Sequence, residues 1–426
     1  MTGSIKWHIL IGGFLTYMFD AVEISILAIS LPALRGELGI TIAQSGLLAT
    51  ASWMGIGASG IAMGWVADNF GRRGALLASL VVFGAATFLF AFSSSSYALM
   101  LALRFVAGLG LGGVWAILAA FVAETWSPAS RGRVTLLVLS SYPVGAAAAA
   151  AFAGFLLPDW RSVFVWAGLS AFIPLTYIAI FIPESPTWLE SMASRRMLAA
   201  QNAQHAPKTS LLEIFRGTLF RQTVLGTAVA TFALFAYISV LTWLPSYLTA
   251  DRGLSVSQVS RYVVTLNFGI FLSYFVFGVV ADLIGKRNAL VVSFLGVAVM
   301  LSVYVMISDL RLLLWSSPVV GVFIVFSGLL GSYFCEVYPI HVRTTGAGFC
   351  FNIGRAVASF SPIVTATIAA SYGFSAVLGF CAALFMCAAL AMMLLPSSEI
   401  SPQERPLART FPDIISDADG RDRVVL

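Results

Sequence analysis

Apolar residues run along this chain in long blocks separated by short polar punctuation. Strict two-residue alternation is absent, and the blocks are apolar all round rather than along one stripe. Their length matches the roughly 20 residues that a helix needs to cross a bilayer core. Blocks at 8–33, 44–67, 74–93, 97–123, 134–157 and 161–182 predict six membrane-spanning helices. Six more are predicted at 222–249, 258–281, 288–307, 311–335, 345–370 and 374–395. A polar stretch at 183–221 divides the two sets, and residues 397–426 make a polar, proline-containing tail expected to be disordered.

Composition agrees with the pattern. Of 426 residues, 59% are hydrophobic and only 10% charged, against about 25% charged in a soluble domain. The net charge of +5 is therefore read through its placement. Arg72, Arg73, Arg131, Arg133, Lys286, Arg287 and Arg343 fall in connections on one side of the predicted spans. Basic connections face the cytoplasm, so both termini, the central loop and the tail are expected there. The first block is expected to act as its own insertion signal. Cys335, Cys350, Cys381 and Cys387 form no CxxC pair and lie in apolar blocks, which suits packing rather than metal or disulfide chemistry.

The two sets repeat each other. "GWVADNFGRR" follows the second block and "GVVADLIGKR" the eighth. Gly64, Asp68, Gly71, Arg72 and Arg73 thus recur, all at one spacing, as Gly278, Asp282, Gly285, Lys286 and Arg287. Glu124 and Arg131 of "ETWSPASR" recur at almost the same spacing as Glu336 and Arg343 of "EVYPIHVR". Two motifs at nearly one offset imply a duplicated six-helix unit, with two bundles around a central path. The expected fold class is an all-α membrane protein with bundles at 1–182 and 222–396.

These motifs resemble the loop signature of the major facilitator superfamily, met throughout the first copy except at Asn69. "RFVAGLGLGG" from Arg104 and "PESPTWL" from Pro183 resemble the branch holding sugar porters and organic-acid symporters. "FDAVE", with Asp20 and Glu23, resembles the first-helix motif of bacterial aromatic-acid, nicotinate and sialate proton symporters. "TGAGFCFNIGR", Thr345 to Arg355, is similar to the eleventh helix of carboxylate symporters. The resemblance implies alternating access by two rocking bundles. It also implies that Asp68, Arg72, Arg73, Glu124, Arg131, Asp282, Lys286, Arg287, Glu336 and Arg343 form a cytoplasmic gate. Topology alone would also explain the basic members.

Four ionisable residues lie deep in the apolar blocks: Asp20, Glu23, Arg104 and Arg355. A charge at such depth costs several kcal/mol (about 2.5–3.5 on insertion scales) unless paired, neutralised or wetted. Asp20 and Glu23, three residues apart, are expected on one side of their helix. Two readings follow. Either Asp20, Glu23 and Arg104 bind and release a proton, with Glu23 favoured, or Glu23–Arg104 is a fixed ion pair and Asp20 caps a broken helix. Arg355 is read as the reader of an anionic substrate, with Asn352 beside it; a salt bridge to Asp20 is the other reading. Trp115, Tyr142 and Asn267 are weaker candidates for the cavity lining.

The sum is a secondary transporter importing a small organic anion with protons, with a proton-coupled sugar or polyol symporter as the alternative. No enzyme chemistry is legible: no nucleophile–base pair, metal cluster or nucleotide loop. The expected partners are the solute, protons and the lipid bilayer, with no nucleic acid and no cofactor beyond the proton gradient. A bacterial inner membrane is expected, since no N-x-S/T sequon occurs and the first outer loop is short; the carrier is expected to be a monomer.

Overall fold

A computed structural model describes residues 3–126, 128–185, 188–190, 192, 214–324, 326–339 and 342–397. Most of the predicted central loop and nearly all of the tail lie outside the described residues, as do the side chains of Asp68, Arg131 and Arg343. The described residues are helical, with no strand. Ten helices among them are long and apolar enough to cross a membrane. The other two predicted spans fall on α2 (Ile42–Phe70) and on the pair α4 (Tyr97–Leu111) and α5 (Val114–Thr125).

Helix ends obey the duplication. α2 starts at a capping box in which Thr41 and Gln44 exchange hydrogen bonds. The helix of the second half at the same place, Val256–Ile284, starts at a capping box of Ser255 and Gln258. Each satisfies two backbone N–H groups that the first turn leaves over. α2 ends at Gly71 with φ +100°, and its counterpart at Gly285 with φ +81°, a region where a Cβ is strained. The chain therefore turns sharply into α3 (Arg72–Phe90) in one half and Lys286–Met306 in the other.

Small residues set how closely helices pack, because lipid offers no hydrophobic drive between them. A Cβ on Gly55 of α2 would stand 2.2 Å from the Phe105 carbonyl of α4. In the second half, a Cβ on Gly269 would stand 2.0 Å from the carbonyl of Pro318. Against helix α1 (Gly3–Leu38), α7 (Ser141–Leu156) supplies Gly145, whose Cβ would meet the Met18 carbonyl at 2.0 Å. These are backbone-to-backbone contacts, and they fix α7 against α1.

Several spans are broken near their middle. The fifth parts at Ser140 between α6 (Pro128–Leu139) and α7. The eleventh parts between α15 (Arg343–Ala358) and α16 (Ser361–Tyr372). Pro362 has no N–H to give, and Ser359 Oγ donates to the Ala356 carbonyl, so local bonds take over from the helical ladder there.

The bundles meet on the half of the molecule away from the start of α1, here called distal. Gly46 of α2 packs on Pro362 and Ala366 of α16. The Ile363 N–H donates to Thr50 Oγ1 across the interface at 3.1 Å. Gly154 of α7 abuts Ser260 of α11 (Val256–Ile284), and the Arg35 guanidinium lies 5.9 Å from the Phe374 ring centroid. These contacts roof a pair of cavities beneath them.

Candidate functional site

The central cavity is built from both bundles. α1 contributes Tyr17 and Asp20, α5 contributes Trp115, and α7 contributes Tyr142. From the other side come Tyr237 of α10 (Gly217–Ala250), Tyr274 of α11, and Phe351 and Arg355 of α15. The Tyr17 ring centroid lies 5.6 Å from that of Trp115 and 5.4 Å from that of Tyr142. The Arg355 guanidinium lies over the Phe351 ring at 5.2 Å, a cation–π contact that leaves its N–H fork free to meet an acceptor. Asp20 is 6% exposed and its Oδ1 has no hydrogen-bond partner. Asp20 and Arg355 thus line one space without an ion pair between them.

Glu23 is placed elsewhere. It lines a second, distal cavity with Arg104, Ser52, Thr242 and Asn267, among mostly apolar neighbours. Arg104 of α4 bonds Glu23 at 2.6 Å, and both side chains are 2% exposed. Thr87 of α3 donates to the same carboxylate oxygen and accepts from Arg104 Nη2 at 3.0 Å. The guanidinium also sits 4.9 Å from the Phe90 centroid and 5.4 Å from that of Phe164. This is a desolvated ion pair with a hydroxyl in its ring, tying α1 to α3 and α4.

Sequence reading placed Asp20 and Glu23 together; the structure separates them into adjacent cavities. Three residues turn a helix by about 300°, so the side chains diverge by about 60°, enough for Ile24 and Tyr142 to stand between the two spaces. Asn352 is subject to the same offset from Arg355, and it is exposed and lines neither cavity. Asn267 lines the distal cavity, its amide donating to the Val263 carbonyl at 2.8 Å. Trp115 and Tyr142 line the central one.

At the proximal face the repeated loop charges form two matching sets. Arg72 pairs with Glu124 at 3.2 Å, and Lys286 pairs with Glu336. Arg73 donates to the Ala179 carbonyl in the last turn of α9 (Phe172–Phe181) at 2.7 Å. Arg287 donates to the Met392 and Met393 carbonyls at the end of α17 (Phe374–Met393). Each arginine satisfies orphan carbonyls at a helix C-terminus. Asp282 is exposed. The first set has two members that the site reading missed. Glu184 accepts the Arg72 backbone N–H at 2.7 Å, and Ser185 Oγ donates to Glu124 at 2.5 Å. Both lie in "PESPTWL", so the sequence carried a signal for them. Thr87 had none, since a threonine in an apolar span looks like packing.

A family description, the Major Facilitator Superfamily, matches residues 10–335 and 244–417. The chain is 29% identical over 367 residues to the putative niacin/nicotinamide transporter of Bacillus subtilis, covering 85% of this chain and 89% of the relative. It is 27% identical over 374 residues to the cis,cis-muconate transport protein of Acinetobacter baylyi, covering 86% and 89%. Among solved structures it is similar to the inward-open xylose transporter of E. coli, with a TM-score of 0.76 and 15% identity. That match covers 92% of this chain and 97% of that one, and shows the shared fold. The chain belongs to the Major Facilitator Superfamily and is a multi-pass membrane transporter.

Proposed function

We propose that this superfamily member imports a small, planar organic anion together with protons across a bacterial inner membrane. The observation that carries the reading is the central cavity itself: one unpaired carboxylate and one unpaired guanidinium facing a space walled by aromatic rings. Aromatic faces suit a flat, unsaturated solute, and the relatives named for niacin and muconate support a carboxylate. Arg355 would grip that carboxylate through two N–H groups.

Coupling follows from charge balance. In the empty cavity Asp20 and Arg355 neutralise each other at a distance. An incoming anion takes over the neutralisation of Arg355, and Asp20 then carries an uncompensated charge in a poorly wetted space. Taking up a proton removes it. The favoured proton site therefore moves from Glu23 to Asp20. Glu23, with a guanidinium and a hydroxyl already on it, becomes a strut between helices.

With the N-terminus cytoplasmic, the roofed distal half is the periplasmic one, and the arrangement is inward-facing. The Arg72–Glu124 and Lys286–Glu336 pairs hold helices together within each bundle at the cytoplasmic face. There they serve the gate, which with Asp68, Arg131, Asp282 and Arg343 would close when the bundles rock.

Purified protein in liposomes, acidic outside, tests this. Uptake of radiolabelled nicotinate, benzoate or muconate should exceed equilibrium and collapse when a protonophore is added. Accumulation of xylose or a polyol with no accumulation of any acid would replace this reading with the sugar symporter.

A further inference from the structure

Two cavities lie stacked along the path between the bundles, and they share a thin wall. Tyr142 is common to the linings of both, together with Ile24, Trp53, Ile56 and Leu111. It is the member that faces the opposite bundle, from which Tyr237 lines the same central cavity. Its ring rests against Tyr17 on the near side.

The position of Tyr142 is fixed by sequence. It opens α7 just after the break at Ser140, where Ser140 Oγ and Ser141 Oγ donate to the Leu137 and Val138 carbonyls. Pro143 follows, and one turn later Gly145 lies directly on the α1 backbone at Met18. α7 therefore packs directly on α1, and Tyr142 stands in the lining of both cavities. Asp20 lies on the central side of it and Glu23 on the distal side.

We infer that Tyr142 is the partition between the substrate cavity and the distal cavity, and that its ring limits the length of anion the site accepts. The size limit rests on the central cavity being the substrate site; the partition does not. The ring is held by the first bundle, while Tyr237 belongs to the second. Rocking of the bundles parts them, so the two cavities join when the distal side opens and separate when it closes. Without the ring they are one space in every state, reaching from Arg355 to Asn267.

Two measurements test this. The first is independent of any substrate. Ser52→Cys places a thiol in the distal cavity and Leu234→Cys places one in the central cavity. A charged methanethiosulfonate is applied from the cytoplasmic side, and each modified peptide is followed by mass spectrometry. The Ser52→Cys thiol, read against Leu234→Cys, should react at least tenfold faster in Tyr142→Ala, and stay slow in Tyr142→Phe, which keeps the ring. Tyr237→Ala, which removes the opposing side chain, should also speed it, and covers the case of a Tyr142→Ala chain that does not fold. Equal Ser52→Cys rates with and without these rings overturn the partition. The second measurement compares benzoate with 4-phenylbenzoate as competitors for uptake. The longer acid should be rejected by the parent and accepted by Tyr142→Ala, with discrimination falling at least tenfold. Unchanged discrimination overturns the size limit. If neither acid competes in the parent, the aromatic-anion reading fails while the thiol result stands by itself.

Discussion

Removing the Glu23 carboxylate would strand the Arg104 guanidinium, which is 2% exposed and has no other acid in contact among the described residues. Breaking one side of a buried pair costs about 3–5 kcal/mol. Glu23→Gln should therefore lower the thermal midpoint in detergent markedly, and Glu23→Gln with Arg104→Gln should recover part of the loss. A fully stable Glu23→Gln that has lost only its pH-driven uptake would return the proton to Glu23. Asp20→Asn breaks no direct ion pair and removes only the longer-range neutralisation of Arg355, so it should cost less stability than Glu23→Gln, lose accumulation under a pH gradient and retain counterflow exchange. Arg355→Lys keeps the charge and loses the planar fork. A lost charge-assisted bond is worth about 1.5–3 kcal/mol, so affinity for the acid should fall about 10- to 100-fold while that for its neutral amide changes little. All four deep charges were legible in the sequence, because an apolar block makes a charge conspicuous. Their division between two cavities was not, since less than a quarter-turn of helix rotation decides it and the neighbours that fill the angle come from other spans.

Helices here approach through glycines whose identity matters only where another backbone is in contact. Gly55 and Gly57 lie two residues apart on α2, yet a Cβ on the first would meet Phe105 O at 2.2 Å and one on the second nothing within 4 Å. Gly55→Ala should force α2 from α4 and lower thermal stability, whereas Gly57→Ala should be neutral or slightly stabilising through helix propensity. Size-exclusion profiles after a heating series would separate the two. Equal profiles would remove the close crossing from the account of this bundle. The spans themselves were legible to within a few residues, as were both loop motifs. The mid-span breaks at Ser140 and Ser359 were not read, because single serines and prolines in an apolar run end a helix only where side chains and neighbouring helices satisfy the freed groups.

At the scale of the molecule, the distal seam is where the halves hold each other. Gly46 has its prospective Cβ 2.7 Å from the Pro362 carbonyl, and Thr50 takes the Ile363 N–H that the break in the eleventh span leaves over. Gly46→Leu should prevent that seam from closing. Thiols placed in the distal cavity should then react faster with reagents added from the periplasmic side, and net uptake should fall while external binding persists. Unchanged reactivity would mean that the seam closes around the larger side chain. The duplication made the six-plus-six plan readable from sequence. Which end of the bundles is shut is a property of contacts between halves, and no repeat within the chain encodes it.

On the proposed coupling, one proton site at Asp20 and one anion site at Arg355 would also set how steep a solute gradient the carrier can sustain. One proton moving with one monovalent anion carries no net charge, so the membrane voltage does no work on the loaded carrier. Only the difference in proton concentration remains as driving force, about 1.4 kcal/mol for each pH unit, which corresponds to about a tenfold accumulation. Clamping the voltage with potassium and valinomycin should leave the plateau for a monocarboxylate unchanged. A dicarboxylate on the same single proton would carry its second charge against an inside-negative voltage and accumulate less, and a plateau that follows voltage for the monoacid would require a second proton.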